Sequence, residues 1–258
     1  MSALALDGAA PDAPALAFEA LALHAEDGVA LDGVSLAIAR GEHAVLFGAS
    51  GAGKSALLRT ALGVTRADGG RATLLGADVA ALGGAARRRV LARVGVLFAQ
   101  DALFDDRAVE DNVALGVRDG RPHEAARRAV REALLLVGLK HVDHCRPATL
   151  TAGERRRVAL ARAIAGGPEL LLADEPARGL DPVASGAVYA LLAQLRTRLG
   201  LTLLVASSDP RALEGADRAA FLHRGRIVAC DRPALLRTRT DAALHQLLAG
   251  RPWGPIAP

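Results

Sequence analysis

The stretch Gly48-Ala49-Ser50-Gly51-Ala52-Gly53-Lys54-Ser55 sets two glycines around four residues and follows them with Lys-Ser, the pattern of a phosphate-binding loop. The apolar run His43-Ala44-Val45-Leu46-Phe47 before it reads as a buried strand, and Ala56-Leu57-Leu58-Arg59 after it opens a helix. That is the setting such a loop needs, because successive backbone N–H groups and the positive end of the helix then face an anion. Lys54 is expected to reach the outer phosphates of a nucleotide as a point charge, with the Ser55 hydroxyl on Mg2+. A glycine-rich turn without a ligand is the plainer alternative. The lysine argues against it: Lys54 and Lys140 are the only lysines in a chain that otherwise carries its positive charge on arginine.

At 258 residues, 51% of them hydrophobic, the chain has material for one full core and is too short for two complete nucleotide-binding domains. No stretch reaches the roughly 20 apolar residues needed to cross a bilayer. The start carries Asp7 and Asp12 but no basic region, so no export signal is expected. Cys145 and Cys230 stand far apart with no ligand cluster beside them, which fits a reducing compartment and speaks against a metal held by cysteine. The net charge of +4, with the runs Arg87-Arg88-Arg89 and Arg155-Arg156-Arg157, raises nucleic acid as a partner. Aromatics at 3% leave few platforms for stacking on bases, so no nucleic-acid partner is expected. Solvated helix faces, or attraction to the headgroups of a nearby membrane, account for the charge.

Along the chain, residues 1 to 14 are Ala/Pro-rich and are expected to be disordered. Leu16 to His24 and Val34 to Ala39 alternate like strands, with Asp27-Gly28 and Asp32-Gly33 as turn signals, and suggest a small antiparallel sheet. Further strands are expected at residues 71 to 75, 94 to 98, 169 to 173 and 201 to 205, with helices at 122 to 137 and 183 to 199. Buried strands alternating with helices imply an α/β fold with a mainly parallel sheet covered on both faces.

Leu170-Leu171-Leu172-Ala173-Asp174-Glu175 is an apolar strand ending in two carboxylates, the form of a Walker B element. The first can hold Mg2+ and the second can accept the proton of an attacking water. Upstream stands Leu150-Thr151-Ala152-Gly153-Glu154-Arg155-Arg156-Arg157-Val158-Ala159-Leu160-Ala161-Arg162-Ala163, and Gly179-Leu180-Asp181-Pro182 follows. In this order the elements resemble the loop, signature segment, Walker B strand and D-loop of ATP-binding cassette (ABC) ATPases, over essentially the whole chain. The resemblance implies a P-loop NTPase fold with a RecA-like parallel-sheet core. That core, residues 15 to 100 and 166 to 230, would include the N-terminal antiparallel β subdomain. Residues 101 to 165 would form an inserted helical subdomain and residues 231 to 258 a tail available for a dimer contact. It implies ATP as ligand and two subunits closing on two ATP molecules, Thr151 and Gly153 of each meeting the other's nucleotide. Asp181 would join that site, Gln100 would serve both ATP and Mg2+, and an integral-membrane permease would be the partner, at the cytoplasmic face of the inner membrane.

Within the family, Gly95-Val96-Leu97-Phe98, Ala102-Leu103-Phe104-Asp105 and Val109-Glu110-Asp111-Asn112-Val113-Ala114 are similar to the ATPases of Mla/Mce-type lipid transporters. The ending His245-Gln246-Leu247-Leu248-Ala249-Gly250 with Gly254-Pro255-Ile256 resembles theirs too. This finer resemblance implies a phospholipid or related hydrophobic cargo and a small STAS-type regulatory partner; a motor for another cargo, or an ATP-bound structural or regulatory subunit, are the alternatives. Four departures from the family pattern suggest slowed hydrolysis. Ser208 stands where a histidine is expected, and a serine is shorter and lacks its charge switch. Thr151-Ala152-Gly153-Glu154 replaces the usual Ser-Gly-Gly-Gln, adding a methyl at Ala152. The glutamine position falls on Ala99, with Gln100 one residue late and so facing the other way. An adenine-stacking aromatic is missing, His24 being the nearest candidate.

Overall fold

A computed structural model describes residues 13 to 25, 28 to 118, 120 to 251 and 253 to 256. The segment expected to be disordered falls, up to residue 12, outside the described residues, as does Asp27 of the first turn signal. Nine strands are formed among the described residues: β1 (Leu16–Ala25), β2 (Gly28–Ile38), β3 (His43–Phe47), β4 (Gly69–Leu74), β5 (Val94–Leu97), β6 (Leu170–Asp174), β7 (Thr202–Ser207), β8 (Arg218–His223) and β9 (Arg226–Asp231). The helices are α1 (Lys54–Ala61), α2 (Gly84–Leu91), α3 (Val109–Ala114), α4 (His123–Leu136), α5 (Ala152–Ile164), α6 (Pro182–Leu199), α7 (Pro233–Leu236) and α8 (Ala242–Leu248).

The strands make two sheets: a three-stranded antiparallel one in the order β2-β1-β4, and a six-stranded one in the order β5-β6-β7-β3-β8-β9. In the larger sheet every pairing is parallel except that of β8 with β9. Of its inner strands, β3, β6 and β7 are buried at every position, which is why they read as unbroken apolar runs. Successive side chains feed two separate cores. Val45, Phe47, Leu171, Ala173, Leu203 and Val205 pack with α3 to α6, whereas Leu46, Leu170, Leu172 and Leu204 pack with α1 and the antiparallel sheet.

Asp32-Gly33 is not the turn its composition suggests. Leu21 pairs with Val34 and Leu23 with Leu31, so β2 carries an extra residue there and continues as one strand. The glycine, at φ 64°, absorbs a β-bulge. The sequence reading also passed over β8, β9 and α2. In β9 only Ala229 is buried, and α2 buries only Val90, so neither element carries a strong apolar period.

The run Arg155-Arg156-Arg157 is more than a solvated helix face. Arg156 is 3% exposed, and its guanidinium donates to the carbonyls of Phe98 and Ala99 at 2.7 and 2.8 Å while pairing with Asp101 at 3.3 Å. Arg155 pairs with Asp105 at 2.8 Å, and Arg162 donates to the carbonyls of Asp101 and Ala102 at 2.8 and 2.6 Å. One helix, α5, thereby fixes the connection that leaves β5. Fully buried Asn112 on α3 holds the next turn by accepting from Phe104 N at 2.7 Å and donating to its carbonyl at 3.0 Å.

Candidate functional site

The phosphate-binding loop leaves the carboxyl end of β3 and runs into α1, the place where open parallel sheets bind ligands. Two of its glycines are required by close approach. A Cβ on Gly48 would stand 2.4 Å from the carbonyl oxygen of Leu222, and one on Gly53 would stand 2.5 Å from that of Ala30. Gly53 also sits at φ 107°, where it begins α1 without any side-chain cap, so the first N–H groups of the helix are left for an anion.

Lys54 is buried, 5% exposed, and its ammonium has three acceptors for its three hydrogens. They are the carbonyls of Gly48 and Ala49 at 2.8 and 2.9 Å and Glu175 Oε1 at 2.9 Å. Glu175 follows β6 in the left-handed backbone region, φ 42°, unusual for a residue with a side chain. This turn carries its carboxylate across the end of β7, where Oε2 accepts from Ser207 Oγ at 3.3 Å, Ser208 N at 3.2 Å and Ser208 Oγ at 3.4 Å. Lys54, Glu175 and Ser208 therefore form one cluster, and Ser208 touches the carboxylate by both backbone and hydroxyl.

Asp174, one residue earlier, is 9% exposed, and its Oδ1 has no hydrogen-bond partner. Burial raises its pKa above the usual carboxylate range, and a hydrogen bond from the Ser55 side chain opposes this. A buried carboxylate with an orphaned oxygen next to a hydroxyl is an oxygen donor set suited to a hard divalent cation. Asp174 and Ser55 thus fit the Mg2+ expected of them.

The remaining expected residues lie apart from this cluster: Gln100, Thr151, Gly153 and Asp181 make no hydrogen bond or ion pair with it among the described residues. Gln100 is exposed. Thr151 is the N-cap of α5 in a capping box, its backbone N–H donating to Glu154 Oε2 at 2.9 Å and its hydroxyl to the same oxygen at 2.8 Å. Ala152 is exposed and Gly153 has open space around it. Asp181 caps α6, accepting from Val183 N and Ala184 N at 2.9 and 3.0 Å, and these bonds hold its pKa below the usual range. His24 is exposed and tied to Asp68 at 3.1 Å.

A phosphate loop, a Walker B strand end and a separate signature helix on this sheet order define a P-loop nucleotide-binding protein of the ATP-binding cassette type. The chain belongs to the ABC transporter family, whose profile matches residues 31 to 178. It is 39% identical over 201 residues to the methionine import ATP-binding protein MetN of Rhizobium johnstonii, covering 77% of this chain and 56% of that one. To MetN of Carboxydothermus hydrogenoformans it is 38% identical over 229 residues, 88% of this chain and 64% of that one. The chain thus spans less than two thirds of the length of these relatives. CbiO1 of Clostridium perfringens, part of the ABC transporter complex cbiONQ, matches with a TM-score of 0.81 and 26% identity over 93% of this chain and 96% of that chain. The dimeric ATP-binding cassette MJ0796, in a post-hydrolysis state bound to ADP and Pi, matches with a TM-score of 0.76 and 25% identity over 84% of this chain and 98% of that chain.

These relatives overturn the likeness to Mla/Mce-type lipid transporter ATPases, because they are named as methionine importers. The lipid cargo and the STAS-type regulator rested on that likeness alone. Among the tail residues that suggested it, the buried Gln246 amide donates to the Ile256 carbonyl at 2.9 Å and accepts from Ile256 N at 2.7 Å, holding Ile256 against α8.

Proposed function

We propose that this chain binds Mg-ATP and hydrolyses it as the peripheral ATP-binding subunit of an ABC transporter importing a small polar cargo of the methionine class. The observation that carries the reading is the Lys54–Glu175 ion pair at the mouth of a phosphate loop whose helix end is uncapped. No helix among the described residues is long and apolar enough to cross a membrane, and a permease would dock on the 101 to 165 region at the cytoplasmic face. The cargo class rests on the names of the relatives.

The chemistry follows from the donors at the site. The entering phosphates supply new acceptors for Lys54, which releases Glu175 Oε1 from its 2.9 Å pairing. The freed oxygen can then take the proton of an attacking water, while Ser207 and Ser208 hold Oε2. Asp174 and Ser55 would hold Mg2+, which when bound neutralises charge on the phosphates. Thr151 and Gly153 would reach the nucleotide from a second copy, Asp181 standing beside them and Gln100 on the Mg2+ side. With Ser208 in place of an imidazole, turnover is slow, on the order of a hundredfold below a complete site.

The test is ATP turnover by the full chain with its permease in lipid, comparing the parent with Glu175→Gln and Ser208→His, alongside uptake of labelled methionine. Turnover abolished in the first variant, raised in the second and stimulated during uptake supports the reading. Equal silence in all three with ATP still bound replaces it by an ATP-held structural role. Turnover without methionine uptake sinks only the cargo.

A further inference from the structure

Behind Glu175 the Ser207 hydroxyl leads to a second hydroxyl, that of Tyr189, which the chemistry above does not use. Tyr189 on α6 is 7% exposed, and its hydroxyl lies 2.8 Å from Oγ of Ser207, which is fully buried at the end of β7. The same Oγ accepts from Asp209 N at 3.1 Å and stands 3.3 Å from Glu175 Oε2. A serine hydroxyl has one hydrogen and two lone pairs. The Asp209 amide can only donate and an ionised Glu175 can only accept, so the serine hydrogen points to Glu175 and the remaining lone pair faces Tyr189. The direction is therefore fixed as Tyr189 to Ser207 to Glu175. Burial holds the phenol above its usual pKa, so it keeps the hydrogen this direction needs.

We propose that Tyr189 is a positioning residue for Glu175, acting through Ser207. The relay holds Oε2 at the end of β7 and leaves Oε1 as the oxygen that exchanges Lys54 for water. A cavity of about 270 Å3, lined by Ser50, Glu175, Tyr189, Ser208 and Arg211 among others, lies beside the carboxylate and gives that water room. Without the tyrosine hydroxyl, the Ser207 hydroxyl loses the closer of the two donors that orient it, and the carboxylate gains freedom to swing. The role in turnover rests on Glu175 being the hydrolytic base; the relay itself does not.

Tyr189 is the only tyrosine in the chain, so a 13C label on tyrosine Cζ gives a single reporter. Glu175→Gln is expected to move its resonance in the parent and to leave it unmoved in a Ser207→Ala background. In turnover, Tyr189→Phe, which keeps the ring, is expected to lower kcat about tenfold with KM for ATP unchanged and the melting temperature lowered by only about 3 °C. A resonance indifferent to Glu175→Gln, or Tyr189→Phe turning over at the parental rate, overturns the proposal. A parent without turnover whose tyrosine resonance still answers to Glu175→Gln, and loses that answer in Ser207→Ala, removes the hydrolysis reading and leaves the relay standing.

Discussion

At the phosphate-binding loop the ammonium of Lys54 is buried and fully paired within its own chain, whereas at the start of α5 the Thr151 cap is exposed and closed only by its neighbour Glu154. The loop is the finished half of a site: glycines fit against Leu222 and Ala30, and a carboxylate is already in place. The helix end is an open half, with space around Gly153 that no described residue fills. Pre-organisation is costly where charge is buried and cheap where solvent screens it, so substitutions at the two ends should differ in size.

The largest effect is expected at the loop. Lys54→Ala removes the cation meant for phosphate and leaves Glu175 without its ion pair, and ATP affinity measured by titration should fall about a hundredfold. Retained affinity would show that the loop's backbone alone carries the anion and would erase the contrast between the two ends. Second in size is Arg156→Met, which removes the buried guanidinium joining α5 to the connection after β5. Breaking such a pair is expected to cost about 3 kcal/mol in urea unfolding, with Asp101 left only the longer 3.8 Å pairing with Arg155.

Asp174→Asn should act in the opposite sense. Because burial raises the folded-state pKa of Asp174, its ionised form is penalised in the folded protein, and that penalty builds as pH rises from the ordinary carboxylate value to the raised one. The ligand-free amide variant should therefore melt about 2 °C higher at pH 7, with the difference vanishing as pH falls toward 4, while the stabilisation by Mg-ATP is lost. A variant less stable at pH 7 would mean that the orphaned oxygen has a partner. The smallest effect belongs to Glu154→Gln. It keeps an acceptor for Thr151 but removes the charge that favours the helix start, and about 0.5 kcal/mol of stability should be lost, read from thermal unfolding at low salt.

Much of the working half was legible because its parts are contiguous or end a buried strand. Lys54 and Ser55 lie in one motif, and Asp174 and Glu175 close an apolar run, so local pattern was enough to name them. The arginines of α5 were misread because adjacent charges look alike in sequence, while the helix turn sends Arg156 inward and its neighbour Arg155 toward Asp105. The tyrosine relay had no spacing to betray it, since α6 and β7 bring Tyr189 and Ser207 together across 18 residues only after packing on the sheet. The lipid-transporter likeness rested on short matches, and the relatives are named as methionine importers.

The sequence by itself determined the class of the protein and the identity of the charged groups at its phosphate loop, because a loop that wraps an anion with its own backbone needs particular residues at fixed spacing. Only the tertiary structure decided that Lys54 and Glu175 are paired within the chain and that Oε2 is held by two serines. Those are relations between strand ends and a helix start more than thirty residues apart, set by which elements lie side by side in the sheet, and no local pattern of residue types encodes them.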